Sequence, residues 1–308
     1  MKNYISQFVT EREWDFPSLK TPKDGSKNLL KSTYAEEKPN SFHNKVAIVT
    51  GASSGIGRSI AIELASRQAK VILASRKSQR LKELLHQINN SGGSARAIPT
   101  DVSDEKQCKA LIEKTVRAFG KIDILVNNAG ISMRANFNEV EISVLRKVME
   151  TNFWGTVYCT KNALPHILKQ HGSIVGISSI CGITPLPGRT GYVASKHALD
   201  GFMESLRLEN SNTGLHVMLV HPGFTASNIR TAALNKNGVS QLETPLEEDR
   251  LMPAERVAKE VATGIYSRKK NLILTTEGKL ILWIYKRMPN MAEKLIYREM
   301  KKEFGAPF

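Results

Sequence analysis

The stretch that most constrains the fold of this 308-residue chain is Thr50-Gly51-Ala52-Ser53-Ser54-Gly55-Ile56-Gly57. It follows the β-branched run Lys45–Thr50 and precedes an amphipathic segment, Arg58–Arg67. Glycine at such a junction permits a tight turn, lets the backbone approach a phosphate, and lets a helix pack closely on the strand. The helix that follows offers free amide donors and the positive end of its dipole to an anion. The spacing is Gly-x-x-x-Gly-x-Gly rather than Gly-x-Gly-x-x-Gly, so the reading rests on context. With a strand before and a helix after, Gly51, Ser53, Ser54, Gly55, Ile56 and Gly57 read as a phosphate loop, against the alternative of a glycine-rich turn without a ligand.

The rest of the chain repeats the same alternation. Lys45–Thr50, Lys70–Ala74, Ala95–Thr100, Ile122–Asn127, Ser173–Ser178, Leu215–Val220 and Leu272–Thr275 read as seven strands. They are mostly continuous apolar runs, as strands covered on both faces are. Amphipathic stretches separate them: Gln79–Asn90, Glu105–Phe119, Val144–Gln170, Tyr192–Asn210 and Pro253–Ser267. This pattern predicts right-handed crossovers and an α/β fold, a Rossmann-type doubly wound parallel seven-stranded sheet with helices on both faces. One such domain spans residues 45–275. Residues 1–44, with Pro17, Pro22, Pro39 and Gly25, read as a loosely ordered extension, with a short helix near the start. Residues 276–308 form a basic amphipathic tail.

Charge excludes little until its distribution is considered. The net charge of +15 suits polyanions. Ten Lys/Arg against four Asp/Glu lie between Arg268 and Phe308, while Met1–Asn44 carries seven against six. No basic stripe interleaved with aromatics appears, so nucleic-acid binding is not expected. Cys108, Cys159 and Cys181 lack metal-site spacing and cannot build a disulfide framework; they read as buried hydrophobes in a reducing compartment. No apolar run approaches the roughly 20 residues that cross a bilayer. Glu11, Arg12, Glu13 and Asp15 stand where a signal peptide needs an apolar core, so an intracellular, cytoplasmic location is expected.

The second strand ends in Ala74-Ser75-Arg76-Lys77, where a carboxylate would bind an unmodified ribose. Arg76 offers instead a fork suited to a 2′-phosphate, with Lys77, Arg80 and Arg58 as helpers, and NADP(H) is inferred over NAD. The alternative is a solvated positive surface. Asp101, with Val102 beside it, accepts from an adenine amino group or caps the helix that starts near Ser103; both readings stand.

Tyr192-Val193-Ala194-Ser195-Lys196 puts a phenol and an ammonium on one face of a helix. A phenol with a pKa of about 10 is too weak an acid for work near neutrality, and a neighbouring cation strengthens it. Thirteen residues earlier, Ser179 follows the fifth strand and is placed to donate to a reacting carbonyl oxygen, with Ser178 as its rival.

In these blocks the chain resembles the short-chain dehydrogenase/reductase family over about residues 44–275. Thr50-Gly51-x-x-x-Gly55-x-Gly57 is similar to its cofactor loop. Asn127-Asn128-Ala129-Gly130 is similar to the block that steadies the central strand and borders the adenine ribose. Asn152, Ser179, Tyr192 and Lys196 match its catalytic four, and the thirteen-residue spacing selects Ser179 over Ser178. Pro222-Gly223 matches the turn at the nicotinamide end; Ser227 stands where the family usually has Thr, with Thr225 nearby as a further cofactor contact. The resemblance implies that Tyr192 donates the proton in reduction and accepts it in oxidation. It implies that Lys196 binds the nicotinamide ribose and lowers the Tyr192 pKa, and that Ser179 orients the substrate oxygen. It implies that Asn152 kinks its helix and holds a relay water, and that the protein is a homodimer or homotetramer. Within the family, Pro222-Gly223-x-x-x-Ser227-Asn228-Ile229 and the long tail look like the membrane-associated dehydrogenase/reductase member seven group.

The function expected is therefore an NADP(H)-dependent oxidoreductase interconverting a ketone and a secondary alcohol. A non-catalytic dinucleotide sensor on the same fold is the alternative, and would show a damaged catalytic set. Phe224, Ile229, Leu234, Leu242, Leu246 and Leu251 in the expected substrate loop favour a small apolar substrate, lipid-, steroid- or acyl-like, and Arg230 is the one evident anion clamp there. In the tail, Leu280, Ile281, Ile284, Tyr285 and Met288 recur at helical spacing, Pro289 breaks the pattern, and Ala292, Leu295, Ile296 and Met300 resume it. Surrounded by lysines and arginines, these stripes predict two short helices at a bend. The helices either lie on a membrane surface or cover a neighbouring subunit's substrate entrance, or they pack on their own domain or a dimer partner.

Overall fold

The computed structural model describes residues 41–242, 251–303 and 305–307. The expectations for residues 1–40 and for Leu246 lie outside them.

Seven parallel strands form one sheet in the order β3-β2-β1-β4-β5-β6-β7. They are β1 (Val46–Thr50), β2 (Lys70–Ser75), β3 (Ser94–Pro99), β4 (Ile124–Asn127), β5 (Ser173–Ile177), β6 (His216–His221) and β7 (Asn271–Ile273). The expected doubly wound sheet is present. β1 pairs with both β2 and β4, Ala47 facing Val71 on one side and Ile124 on the other. The strand order reverses there, and in such sheets the crevice beyond the carboxyl ends at the reversal is where ligands sit.

Helices α1 (Gly55–Ser66), α2 (Ser78–Asn90), α3 (Glu105–Phe119), α4 (Ile142–Met149), α5 (Gly155–Leu168), α6 (Thr190–Glu209) and α7 (Ala254–Tyr266) cover the sheet. On one face Ile60 and Leu64 of α1, Leu81 and Leu84 of α2, and Val257 and Val261 of α7 pack against β-strand residues such as Val49 and Val71. On the other, Leu111 of α3, Cys159 and Ala163 of α5, and Leu199 and Met203 of α6 pack against Ile48, Leu125 and Ile174. Strands that alternate sides in this way bury both sets of side chains, which is why they read as unbroken apolar runs.

Two differences from the sequence reading matter. The stretch expected as one helix over Val144–Gln170 is α4 and α5 joined by a π-helical turn, Glu150–Trp154, with Asn152 buried inside it. Such a turn leaves no trace in apolar periodicity, since both flanks keep a face on the core. The tail forms α8 (Thr276–Arg287) and α9 (Pro289–Met300), with Pro289 opening α9 at the bend. Proline has no amide to lose at a helix's first position, so it starts α9 as readily as it ends α8.

Candidate active site

The loop between β1 and α1 is backbone architecture. Gly51 has φ of +65°, and a Cβ there would sit 2.8 Å from the Ala129 Cα. A Cβ on Gly57 would lie 2.5 Å from the Gly51 carbonyl oxygen and collide with the Asn128 amide. Asn128 holds this geometry: its Nδ2 donates to the Thr50 carbonyl at 2.9 Å, while its backbone amide and that of Ala129 donate to Thr50 Oγ1 at 3.0 Å each. The loop amides at the start of α1 thus line a cleft of about 210 Å³.

Of the residues proposed for a cofactor, Gly51, Ser53, Ser54, Gly55, Ile56, Gly57, Ser75, Arg76, Asp101, Val102, Asn128, Ala129 and Gly130 all line this cleft. Arg76 is half-exposed at its rim, 3.9 Å from Asp101, with Lys77 beside it, and Arg58 and Arg80 line an adjoining recess. Asp101 does not cap α3. Its Oδ1 accepts from the amide and hydroxyl of Ser103 at 3.1 and 2.7 Å, and Asp104 caps the helix by accepting from Lys106 and Gln107. Thr225 is buried outside the cleft lining, its hydroxyl donating to the Gly223 carbonyl at 3.2 Å. Ser227, Asn228, Ile229 and Ala232 line the cleft instead. Ser227 carried a signal, its distance from Pro222; Asn228 and Ile229 carried one only as part of the same block, Ile229 also as a substrate-loop residue, and Ala232 carried none. The close-packed glycines, the free amides at a helix start and a cationic rim make a donor set that fits a pyrophosphate and an anionic ribose.

The four residues proposed for catalysis come together. Tyr192 and Lys196 stand one turn apart on α6, both buried, with Lys196 Nζ 5.7 Å from the phenol ring centre. That Nζ donates to the Ile177 carbonyl at 2.8 Å. It also lies 3.7 Å from where a Cβ on Gly130 would stand, beside Asn152 Oδ1 at 3.3 Å. Asn152 is fixed from both ends: Nδ2 donates to the Ile131 carbonyl and to Ser195 Oγ at 2.9 Å, and Oδ1 accepts from the Ile131 amide at 2.8 Å. Ser179 takes an extended backbone after β5 and accepts from the Cys181 amide at 3.2 Å. It faces a second cavity, of about 650 Å³, whereas Ser178 points into the interior near Asp200.

Burial dominates the acidity of the pair. It raises the Tyr192 pKa well above the ordinary phenol value, and the nearby Cys181 adds to this. A hydrogen bond from Ser179 and the charges of Arg189 and Arg230 pull the other way. Burial lowers Lys196 to about 8, opposed by Asp200, whose carboxylate accepts from His221 Nε2 at 2.9 Å. Arg189, Asp200 and His221 were missed: Arg189 stands in a loop just ahead of α6, and Asp200 and His221 read as ordinary helix and strand residues. Arg230, expected to clamp a substrate anion, instead donates to the Thr225 carbonyl at 2.9 Å.

The second cavity has Ser179, Pro222 and Gly223 on its floor, so the predicted turn at Pro222 faces this side rather than the glycine cleft. Ile180, Leu186, Phe224, Ile281, Leu295 and Met300 give it apolar walls. The last three belong to the tail helices, for which covering a neighbouring subunit's substrate entrance was one of the expected places.

The profile of the short chain dehydrogenase family matches residues 45–238. The chain is 41% identical over 189 residues to 11-beta-hydroxysteroid dehydrogenase-like 2 of Arabidopsis thaliana, covering 61% of this chain and only 61% of that protein's length. It is 32% identical over 268 residues to dehydrogenase/reductase SDR family member 7B of Mus musculus, covering 85% and 83%. A short chain dehydrogenase/reductase from Burkholderia phymatum in complex with NAD superposes with a TM-score of 0.73 at 25% identity, covering 82% of this chain and 96% of that one.

Proposed function

The chain belongs to the short-chain dehydrogenase family of oxidoreductases, and from that premise we propose that it is an NADP(H)-dependent enzyme interconverting a ketone and a secondary alcohol on an apolar, lipid-, steroid- or acyl-like substrate. One observation carries the reading. Ser179 lines an apolar cavity and is among the groups that act on the buried Tyr192 phenol, while Lys196, one turn along α6, reaches toward Gly130 in the glycine-lined cleft.

The bound dinucleotide supplies a hydride to the carbonyl carbon. The chain supplies the rest. Backbone amides of residues 53–57 hold the pyrophosphate. Arg76, helped by Lys77, Arg58 and Arg80, reads a 2′-phosphate, because a guanidinium pairs with that group through two charge-assisted bonds. Ser179 donates to the substrate oxygen and fixes its direction. Tyr192 gives that oxygen its proton, leaving an alcohol and a phenolate. Lys196 binds the ribose, and its charge together with Arg189 and Arg230 steadies the phenolate. Asn152, clamped to Ile131 and Ser195, holds α4 and α5 in the geometry that brings Lys196 to Gly130.

Residues 45–275 are the catalytic unit in this reading and 276–308 an appended tail. The outer face of the tail exposes Leu280, Trp283, Met288, Met291 and Tyr297 among Lys279, Lys286, Arg287 and Lys294. That composition supports a peripheral contact with an anionic bilayer. Among the described residues no helix is long and apolar enough to cross one. Trp154, exposed beside α5, supports a homo-oligomer built on that helix.

The test is NADPH oxidation by the purified protein across a ketone panel graded from short water-soluble ketones to steroid and long-chain acyl ketones. The proposal expects turnover concentrated in the apolar members. Silence across the panel with both NADPH and NADH would overturn it.

A further inference from the structure

The tail reaches back to the catalytic helix through one carboxylate. Glu303 is 9% exposed, and its Oε2 lies 3.0 Å from Arg189 Nη2 and 3.5 Å from Arg134 Nε. Arg189 and Arg134 are themselves buried or nearly so. Arg189 is the residue before α6, three positions ahead of Tyr192, and its carbonyl accepts from the Val193 amide at 2.9 Å. Its charge is among those that act on the Tyr192 phenol. Arg134 follows Met133, which packs in the same cluster as Tyr192. Beyond Glu303 the chain stays at this place, with the Pro307 carbonyl accepting from the Asn136 amide group.

The other end of the tail is pinned too. Thr275, at the end of β7, accepts from the Gly278 amide at 2.9 Å and starts α8. Between these points α8 and α9 have few anchors: Gly278, Leu282, Ala292 and Met300 are their buried residues. Yet Ile281, Leu295, Ile296 and Met300 wall the cavity above Ser179. A two-helix segment fixed at both ends and lightly packed between them opens most readily at whichever end depends on fewer contacts.

We propose that residues 276–307 are a lid on the substrate cavity of their own subunit, and that Glu303 is the latch residue that sets which substrates the enzyme accepts. This rests on the reading of that cavity as the substrate site. With the latch closed, the Glu303 carboxylate is shared between two buried guanidiniums. With Glu303 withdrawn, Arg189 loses the carboxylate that offsets its burial, so the closed lid and the position of Arg189 before Tyr192 are held together by the same bond. A long apolar substrate needs the lid's inner face to bury its chain; a short ketone, bound at Ser179 alone, does not. Glu303 is thus a positioning residue, with specificity as its output.

The experiment compares the full-length wild type with Glu303→Asp, Glu303→Gln and Glu303→Arg. Hydrogen exchange of tail peptides spanning 276–303 is measured in the protein alone, and KM and kcat are measured for a short and a long-chain ketone. Glu303→Arg is expected to raise tail exchange by about tenfold or more, with Glu303→Gln between it and the wild type, and Glu303→Asp within about threefold of the wild type. The long-chain KM rises in the same order by about tenfold, while the short-ketone KM stays within about threefold and any fall in kcat, through Arg189, is shared by both ketones. If Glu303→Arg misfolds, which exchange across β1–β6 reveals, the Glu303→Gln arm decides. Tail exchange unchanged in a folded variant overturns the latch, and so does an equal rise in both KM values. If no ketone is turned over by the wild type, the exchange measurement still tests the latch, and only the substrate reading falls.

Discussion

The glycine-lined cleft and the cavity beside Ser179 are built from different materials. The cleft beside Gly51 is made by backbone: glycines in close contact, amides at a helix start, and an asparagine that braces the turn. Most of it comes from the ends of β1, β2, β3 and β4 and the turns that follow, with Thr151 and the 227–232 segment added. The cavity above Ser179 is made by side chains from three loops and two tail helices, and its wall residues come from as far apart as Ile180 and Met300. Backbone geometry of the first kind tolerates little substitution, because a single Cβ on Gly57 strikes the Gly51 carbonyl. A side-chain wall is tolerant, since one apolar residue replaces another with small cost. A chain built this way holds one cofactor class rigidly and is free to change its substrate.

The largest expected effect separates the chemistry from both cavities. Tyr192→Phe keeps the ring and removes the proton donor, so kcat should fall by roughly 1,000-fold or more, within the range general acid catalysis contributes, while NADPH affinity stays within a few-fold. A variant retaining a tenth of wild-type turnover would place the proton donor elsewhere.

The next effect tests whether Lys196 is held charged in a dry place. Its pKa is lowered from 10.5 to about 8 by burial. Below pH 8 both folded and unfolded chains carry the proton, and the buried charge exacts its full cost. From pH 8 toward 10.5 the unfolded chain binds more protons than the folded one, so stability rises with pH, by about 3 kcal/mol over the whole window. Tyr192, whose pKa is raised, acts in the opposite direction above about pH 10. Urea midpoints from pH 7 to 10 should therefore climb for the wild type and stay flat for Lys196→Met; parallel curves would show that Lys196 is solvated.

The smallest effect sharpens the cofactor side alone. Arg76→Ala should weaken NADPH by about 10- to 150-fold, the worth of one charge-assisted contact, and leave NADH and the ketone KM nearly unchanged. Equal loss for both dinucleotides would make Arg76 a surface charge, its half-exposed position beside Asp101 notwithstanding.

This contrast also explains what was legible in the sequence. Strands β1, β2, β4, β5 and β6 showed themselves because burial on both faces demands largely apolar runs, the edge strands β3 and β7 less so, and the glycine loop because its geometry admits no other residue at Gly51 and Gly57. Tyr192 and Lys196 were legible through their spacing on one helix turn. The tail walls were not, because Ile281, Leu295 and Met300 obey the same helical period whether they cover a cavity, a partner or a membrane. Arg189 and Glu303 lie 114 residues apart and meet only in the fold. The role of Asp101 was half legible: its side chain does serve a turn, but Asp104, three residues on, took the helix cap.

The π-turn at Glu150–Trp154 has a consequence for how this site arose and how it would be lost. A π-turn holds one residue more than an α-helical turn while leaving the helix on either side in phase. Removing one residue there would let α4 run straight into α5 with Val148 and Cys159 still facing inward. The helix would heal, while Asn152 would be displaced from Ile131 and Ser195 and its neighbours Thr151 and Phe153 would repack, so a single-codon deletion at this point would cost the enzyme more than the fold.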